Sequence, residues 1–420
     1  MSLVGRVRSK LAGQGGDSAV TALSYLATAG LGIVNLPILG YGLGPAGRGE
    51  LAAVVSVTQL LGFMTGFGMP RAAVYYALEE RWRRIIMSSW TTVALFALPF
   101  LGVLWPLYGW LLDGKLEVTR QWFFVYLVGT LLVNPTTTTI FWLRGRNRTV
   151  AFNLLNSLPP LFTTLGYVGL AVVGALTLES ALASTFVAQV TARLVALGYG
   201  RAFPGRGFER AAYRTHMHYG LRAWFGSLSY LVTFRVDQFV LAGLVSSEDL
   251  GFYAVAATAA TLSLPLSRGI GQTLLPHIRR ADNDAERFAA VDRAVRWTRL
   301  TSVGMLVLLA IVSPFLVPLL AGDAFAPAVA PLLILLPGQF CNDLATVYAS
   351  ALDAFNRPED ASKAQLASAV ITVAGLAVAA PVFGILGAAA VTSAAYAGYL
   401  GWILWSYRSL RRDRGALAGA

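Results

Sequence analysis

About a dozen apolar blocks of 20 or more residues constrain this chain more than any other feature of its sequence. In helical form such a block is long enough to cross a hydrocarbon core of about 30 Å. With 56% hydrophobic and 13% charged residues, the chain departs from the soluble norm of roughly 45–50% and about 25%. The sequence therefore predicts an all-α integral membrane protein of about twelve transmembrane helices. The predicted spans are 19–43, 49–70, 85–112, 122–143, 150–174, 178–200, 220–246, 250–275, 300–321, 325–352, 364–383 and 385–406.

The distribution of the 33 lysines and arginines predicts how these spans are oriented. With the N-terminus inside, 26 of the 33 lie in or beside cytoplasmic segments, four lie within helices, and Arg48, Lys115 and Arg120 are counted as external. This positive-inside bias predicts that both termini are cytoplasmic. It also accounts for the net charge of +12 without nucleic acid as a partner. The excess of arginine over lysine is typical of a GC-rich bacterial genome, so we expect a multi-pass protein of the bacterial cytoplasmic membrane.

The two halves of the chain resemble each other. GRGELAA at 47–53 aligns with GFYAVAA at 251–257, and RNR at 146–148 aligns with FNR at 355–357, with offsets of 204 and 209. An even number of helices per repeat keeps both halves in the same orientation, related by a pseudo-twofold axis along the membrane normal. The predicted units are an N-terminal six-helix bundle at 1–200, a cytoplasmic linker at 201–219 and a C-terminal six-helix bundle at 220–420.

The longest predicted cytoplasmic connection, 276–299, has an amphipathic pattern. Asn283 or Asp284 can cap a helix in which Phe288, Val291 and Val295 recur at spacings of three and four. We expect this helix to lie along the inner membrane surface. A solvated connector is the alternative.

Ionisable side chains at membrane depth are the candidates for function, because each costs about 2.5–3.5 kcal/mol on insertion scales. Within FRVDQF, Arg235 and Asp237 are two residues apart and point about 200° apart on a helix. Arg235 therefore either faces a cavity or forms a structural ion pair, and Asp237 is either a structural partner, of Arg268 or Arg193, or a proton carrier. The deep candidates are Arg71, Arg193, Arg235, Asp237, Arg268 and Asp343.

The other deep residues each have two interpretations. Arg268, between residues that allow close backbone approach, either contacts substrate or is structural. Arg71 is an interfacial anchor or a substrate contact. Asp343, beside Asn342, takes part in ion coupling or is a satisfied buried polar group.

The sequence lacks the motifs of the common catalytic and nucleotide-binding sites. There is no Walker A sequence and no HExxH, CxxC or GxSxG. Cys341 is the only cysteine, and the HMH at 216–218 has no carboxylate or cysteine nearby in sequence. We expect no metal, no cofactor and no enzymatic activity.

Several segments resemble the Wzx-type polysaccharide and O-antigen flippases of the multidrug/oligosaccharidyl-lipid/polysaccharide exporter superfamily. The most specific is RVDQFVLAGLVSSEDLGFYAVA from Arg235; the others are LGPAGRGELAAV, LDAFNRP and PVFGILGAAAVTSA. The resemblance implies a MATE-like fold of two six-helix bundles around a central cavity. It also implies alternating-access transport of polyprenyl-pyrophosphate-linked oligosaccharide from the inner to the outer leaflet, with the lipid bilayer and a monovalent ion or proton as further partners.

Family function maps onto Arg235 and Arg268, and also Arg71 and Arg193, as ligands of the head group. A diphosphate requires multidentate cationic donors, whereas organic cations require buried carboxylates. Four deep arginines against two aspartates favour the anionic substrate. A cation-coupled multidrug exporter is the alternative, and a glycan polymerase is disfavoured because no sizeable external loop is predicted.

Overall fold

The computed structural model describes residues 14–64, 66–78, 81–97, 99, 102, 120–204 and 208–418. Some side chains within these ranges are not described, including those of residues 225–235. The described part is helical and contains no β-strand. The predicted all-α class is therefore confirmed.

The helices follow one another with short connections. In chain order they are α1 (Gln14–Met64), α2 (Met69–Tyr75), α3 (Trp82–Thr92), α4 (Arg120–Thr130), α5 (Val133–Gly145), α6 (Thr149–Val172), α7 (Leu178–Gly200), α8 (Arg210–Leu244), α9 (Ser247–Ala260), α10 (Leu264–Arg280), α11 (Asp284–Ala321), α12 (Val329–Ala354) and α13 (Pro358–Ala418). A π-helical turn, Val93–Ala97, follows α3; short 3₁₀ segments, Thr261–Ser263 and Asp323–Ala328, join α9 to α10 and α11 to α12.

Helix α13 is a hairpin of two membrane spans. Its 61 residues would extend about 90 Å if straight, three times the hydrocarbon thickness. At Gly384 the backbone has φ 56° and ψ −137°, a conformation that glycine adopts without a Cβ clash. Ser368 Oγ, before the bend, donates to the carbonyl oxygen of Ala395 at 3.0 Å. The two arms therefore lie side by side.

Helix α1 reverses in the same way. Gly44 has φ 65°, and Leu39 and Leu51, which flank it, are buried in one cluster. With α1 and α13 each counted as two spans, the short α2 as the end of the second span, and α4–α5 and α9–α10 as one span each, the helices account for the twelve predicted spans. The predicted third span extends to 112, and most of it beyond 97 lies outside the described residues.

Length and hydropathy alone identify seven segments of the described chain that can cross a membrane. Two of them, Leu23–Gln59 and Pro358–Arg414, contain the reversals described above. Large apolar side chains also cover the outside of the bundle: Phe315 is 80% exposed and Val382 69% exposed. Lipid accommodates such a surface, whereas water would not. The protein is a multi-pass membrane protein.

Several hydrophobic cores occupy the bundle, and the larger of the two described next also includes Leu36 and Ala53 of α1. One contains Leu51 of α1 and Leu182 of α7; a larger one contains Leu241 of α8, Tyr253 of α9 and Leu332 of α12. The limits of the predicted domains remain a prediction. Much of the predicted linker at 201–219 is helical, because α8 begins at Arg210 and packs its first turns on α2 and α3.

The two halves touch closely where α1 reverses. A Cβ on Gly49 would lie 1.7 Å from the carbonyl oxygen of Ser247, and one on Gly251 would lie 2.0 Å from that of Pro45. These glycines therefore allow backbone-to-backbone packing of α1 on α9. The reversal at Gly44 belongs to the predicted external side, so the halves are closed on each other at that end. We call this contact of 45–49 with 247–251 the outer seam.

In the segment after residue 282, the prediction of a helix along the membrane surface is wrong. Asn283 does cap it, since its side chain accepts a hydrogen bond from the Glu286 amide at 2.9 Å. However, α11 runs without a break from Asp284 to Ala321, and Phe288 is buried and stacks on Phe355 with ring centroids 5.1 Å apart. The apolar face is covered by α12 and α13, so the amphipathic pattern reflects protein packing and not contact with the membrane surface.

Candidate functional site

Two adjoining cavities lie between the two halves. The first, of about 420 Å³, is bounded mainly by α1, α6 and α7, with contributions from α8 and α9. The second, of about 520 Å³, is bounded by α1, α8, α9, α10, α12 and α13 and the turn joining α9 to α10. We call them the first and second chambers. Both are lined by Gly32, Gln238 and Thr258, so they meet at these residues in the centre of the bundle.

Arg193 is held in position in the first chamber by neighbouring polar groups. Its Nη2 donates to Gln189 Oε1, one helical turn earlier, at 2.7 Å. Gln189 Nε2 in turn donates to the hydroxyl of buried Tyr126 on α4 at 2.7 Å. Such a series of hydrogen bonds fixes the orientation of a guanidinium group before any ligand arrives.

Arg48 also lines the first chamber. Counting charges by loop assigns it to an external connection, and the structure corrects this: Arg48 lies within α1, just after the reversal at Gly44. Its Nε is buried without a hydrogen-bond partner, and it interacts electrostatically with Tyr167. No carboxylate is among the described residues that line this chamber. A guanidinium group in these surroundings is left to interact with an anion.

The second chamber contains charges of both signs. Asp237 accepts a hydrogen bond from the Tyr253 hydroxyl at 2.7 Å, and Arg268 lies over the ring of Tyr25, 5.8 Å from its centroid. Both charged residues line the cavity. The interpretation of Asp237 as a structural partner of Arg268 or Arg193 stays a prediction.

The remaining candidates lie elsewhere. Asp343 is fully buried between α11 and α12 and accepts hydrogen bonds from Ser302 Oγ and from Gln339 Nε2, the latter at 2.9 Å. Arg71 is exposed on α2 and interacts electrostatically with Asp353 of α12. Neither Asp343 nor Arg71 is among the residues that line the two chambers. The side chain of Arg235 lies outside the described residues.

The combined cavity is cationic on its described lining. Arg48, Arg193 and Arg268 face one carboxylate, that of Asp237. Their guanidinium groups come from three different helices and surround a space of the size that ligand-binding clefts have, roughly 300–1,000 Å³. Such a site binds an anion with several oxygen acceptors by bidentate hydrogen bonds. An all-helical, multi-pass bundle with a cationic cavity at its centre is an architecture typical of membrane transporters.

Comparison with known proteins gives the family of the chain. The chain matches the family model described as polysaccharide biosynthesis protein over residues 15–282, and it belongs to that family. None of the curated protein sequences compared with the chain matches it significantly.

Solved structures show a MATE-like fold. The chain is similar to the lipid II flippase MurJ in an inward closed conformation, with a TM-score of 0.74, 13% identity and coverage of 93% of this chain and 87% of that one. It is also similar to a MOP superfamily transporter from Pyrococcus furiosus described as having a binding pocket of reversed polarity, with a TM-score of 0.66, 12% identity and coverage of 97% and 98%. A MATE transporter mutant from Vibrio cholerae gives a TM-score of 0.61 at 14% identity, with coverage of 97% and 98%. The predicted fold of two six-helix bundles is confirmed.

Proposed function

We propose that this protein is a flippase that moves a polyprenyl-pyrophosphate-linked oligosaccharide from the cytoplasmic to the outer leaflet of the bacterial cytoplasmic membrane, for export of a cell-surface polysaccharide. Both termini are cytoplasmic in this proposal, and no covalent step occurs. Membership of the polysaccharide biosynthesis family supports it. The observation that carries the substrate class is the pair of arginines in a chamber whose described lining has no carboxylate.

Arg48 and Arg193 are the proposed principal ligands of the pyrophosphate. A desolvated diphosphate requires several cationic donors at once, and arginine presents a rigid fork that matches phosphate oxygens. Arg268 contributes from the second chamber. Arg235 remains a proposed ligand, and Arg71 is proposed to anchor the cytoplasmic end of α2 or to meet the substrate as it enters.

The proposed mechanism is alternating access. The outer seam is closed, so the cavity serves the cytoplasmic side in this conformation, and the isoprenoid tail stays in lipid during transport. Rocking of the two halves opens the seam and closes the opposite end. A monovalent ion or proton is a candidate coupling partner, and Asp343 is less suited to that role than Asp237, because its carboxylate lies outside both chambers and is occupied by Ser302 and Gln339.

A cation-coupled multidrug exporter is the second candidate. The presence of Asp237 in the second chamber favours it, since a buried carboxylate is the group that organic cations require. The described lining has one carboxylate and three arginines, so the multidrug exporter is the weaker candidate.

The experiment that tests the proposal uses a deletion strain complemented with variants. We expect the deletion to abolish surface polysaccharide without changing drug sensitivity. Arg193→Ala and Arg268→Ala should fail to restore it although both reach the membrane at normal levels. The matched control is Arg83→Ala, an exposed arginine of α3. Normal polysaccharide together with raised drug sensitivity in the deletion strain would replace the flippase with a drug exporter.

A further inference from the structure

The last turns of α13 form a basic and aromatic pocket away from the central cavity. Its volume is about 660 Å³, and it opens on the surface. We call it the Arg-Trp pocket. It is lined by Gly401, Leu404, Trp405, Arg408, Arg411 and Arg412.

Neighbouring acidic residues already have basic partners. Asp292 of α11 pairs with Arg411 at 3.2 Å, and Asp284 pairs with Arg414 at 3.0 Å. Asp413 lies 3.8 Å from Arg357. Within the described part of the chain, Arg408 and Arg412 form no ion pair. Both line the same pocket. The pocket therefore has two positive charges that no protein carboxylate neutralises.

Exposed tryptophans mark the same end of the bundle as the membrane boundary. Trp405 is 64% exposed and Trp402 41% exposed on α13, and Trp297 is 62% exposed on the adjacent α11. Tryptophan prefers the level of the lipid head groups, where its ring meets both acyl chains and water. Gly401 has open space around its Cα, with nothing within 4 Å of an added Cβ, so the apolar part of the pocket continues towards the lipid.

From this arrangement we infer that the Arg-Trp pocket binds the phosphate of an anionic phospholipid, with Arg408 and Arg412 contacting the phosphate and Trp405 packing against the glycerol and upper acyl chain. Arginines placed between head groups and tryptophans are suited to lipid phosphate. A soluble anion would make no favourable contact with the tryptophan or with the apolar part of the pocket. By the positive-inside rule this lipid lies in the cytoplasmic leaflet. The inference is independent of what the central cavity transports.

The test is native mass spectrometry of the full-length protein, delipidated in neutral detergent and titrated with phosphatidylglycerol or phosphatidylcholine. The double variant Arg408→Gln, Arg412→Gln should bind phosphatidylglycerol roughly ten- to thirtyfold more weakly than the wild type. The matched control is Arg81→Gln, Arg83→Gln, which removes two exposed arginines from the same predicted side and should bind as the wild type does. Phosphatidylcholine should bind weakly to all three proteins.

Two results would overturn the inference. Equal loss of phosphatidylglycerol in both double variants would mean that general surface charge, and not this pocket, retains the lipid. Displacement of phosphatidylglycerol by millimolar inorganic phosphate would mean a site for soluble anions. The Arg408→Lys, Arg412→Lys variant guards against misfolding, because it keeps both charges and should recover most of the affinity; a well-folded lysine variant that does not bind would also contradict the proposal.

Discussion

Replacing Arg48 with methionine is expected to stabilise the ligand-free protein while weakening its binding of pyrophosphate. Arg48 Nε is buried and lacks a hydrogen-bond partner, and a buried unsatisfied donor costs about 1–3 kcal/mol. Methionine has a similar length and adapts to irregular space, so the variant should recover much of that cost. A charge-assisted hydrogen bond contributes about 1.5–3 kcal/mol, so the affinity for a pyrophosphate should fall roughly 10- to 150-fold.

Thermal melting followed by intrinsic fluorescence measures the first effect, and titration of the purified protein with undecaprenyl pyrophosphate measures the second. Arg83→Met is the control, since Arg83 is exposed on α3 and should change neither quantity. A lower melting temperature with unaltered affinity for pyrophosphate would contradict this prediction and make Arg48 a structural residue.

Further substitutions test the outer seam, the role of Asp343 and the packing of α11. Gly49→Ala should prevent the two halves from closing at the outer seam, because the new Cβ would lie 1.7 Å from a backbone oxygen, and transport by the reconstituted protein should fall. Gly30→Ala, whose new Cβ meets nothing within 4 Å, should be neutral or slightly stabilising. Asp343→Ala should lower the stability by about 1–3 kcal/mol, because Ser302 and Gln339 lose their acceptor; unchanged melting would contradict a structural role. Phe288→Ala should cost about 3–5 kcal/mol, whereas Leu300→Ala, 62% exposed on the same helix, should cost little; equal melting of these two variants would favour a helix on the membrane surface.

The sequence predicts the fold well because span length and hydrophobicity are set directly by the bilayer. The reversals at Gly44 and Gly384 fall between the predicted spans that end at 43 and 383 and those that begin at 49 and 385. The first turns of α11 are wrongly predicted to lie on the membrane surface because an apolar stripe of the same period forms whether a helix packs on lipid or on protein. The contact of Phe288 with Phe355 distinguishes the two.

The site is less predictable than the fold. Transmembrane helices are apolar on most faces, so hydrophobic periodicity does not reveal which face of α7 turns Arg193 inward or which face of α2 leaves Arg71 outside. Arg48 is missed because its position beside a turn in the sequence resembles that of an external loop residue. The repeat offers a signal: GRGELAA, which contains Arg48, aligns with a segment inside the second helix of the other half, and that alignment favours a helical position.

The proposed flippase activity is best measured as the leaflet accessibility of a polyprenyl-pyrophosphate-linked oligosaccharide in proteoliposomes. We expect wild-type protein to move the labelled glycan from one leaflet to the other, where an added lectin or glycosidase reaches it, and Arg48→Met and Arg193→Ala proteins not to do so. Wild-type vesicles that leave the glycan in its original leaflet while accumulating an organic cation would contradict it.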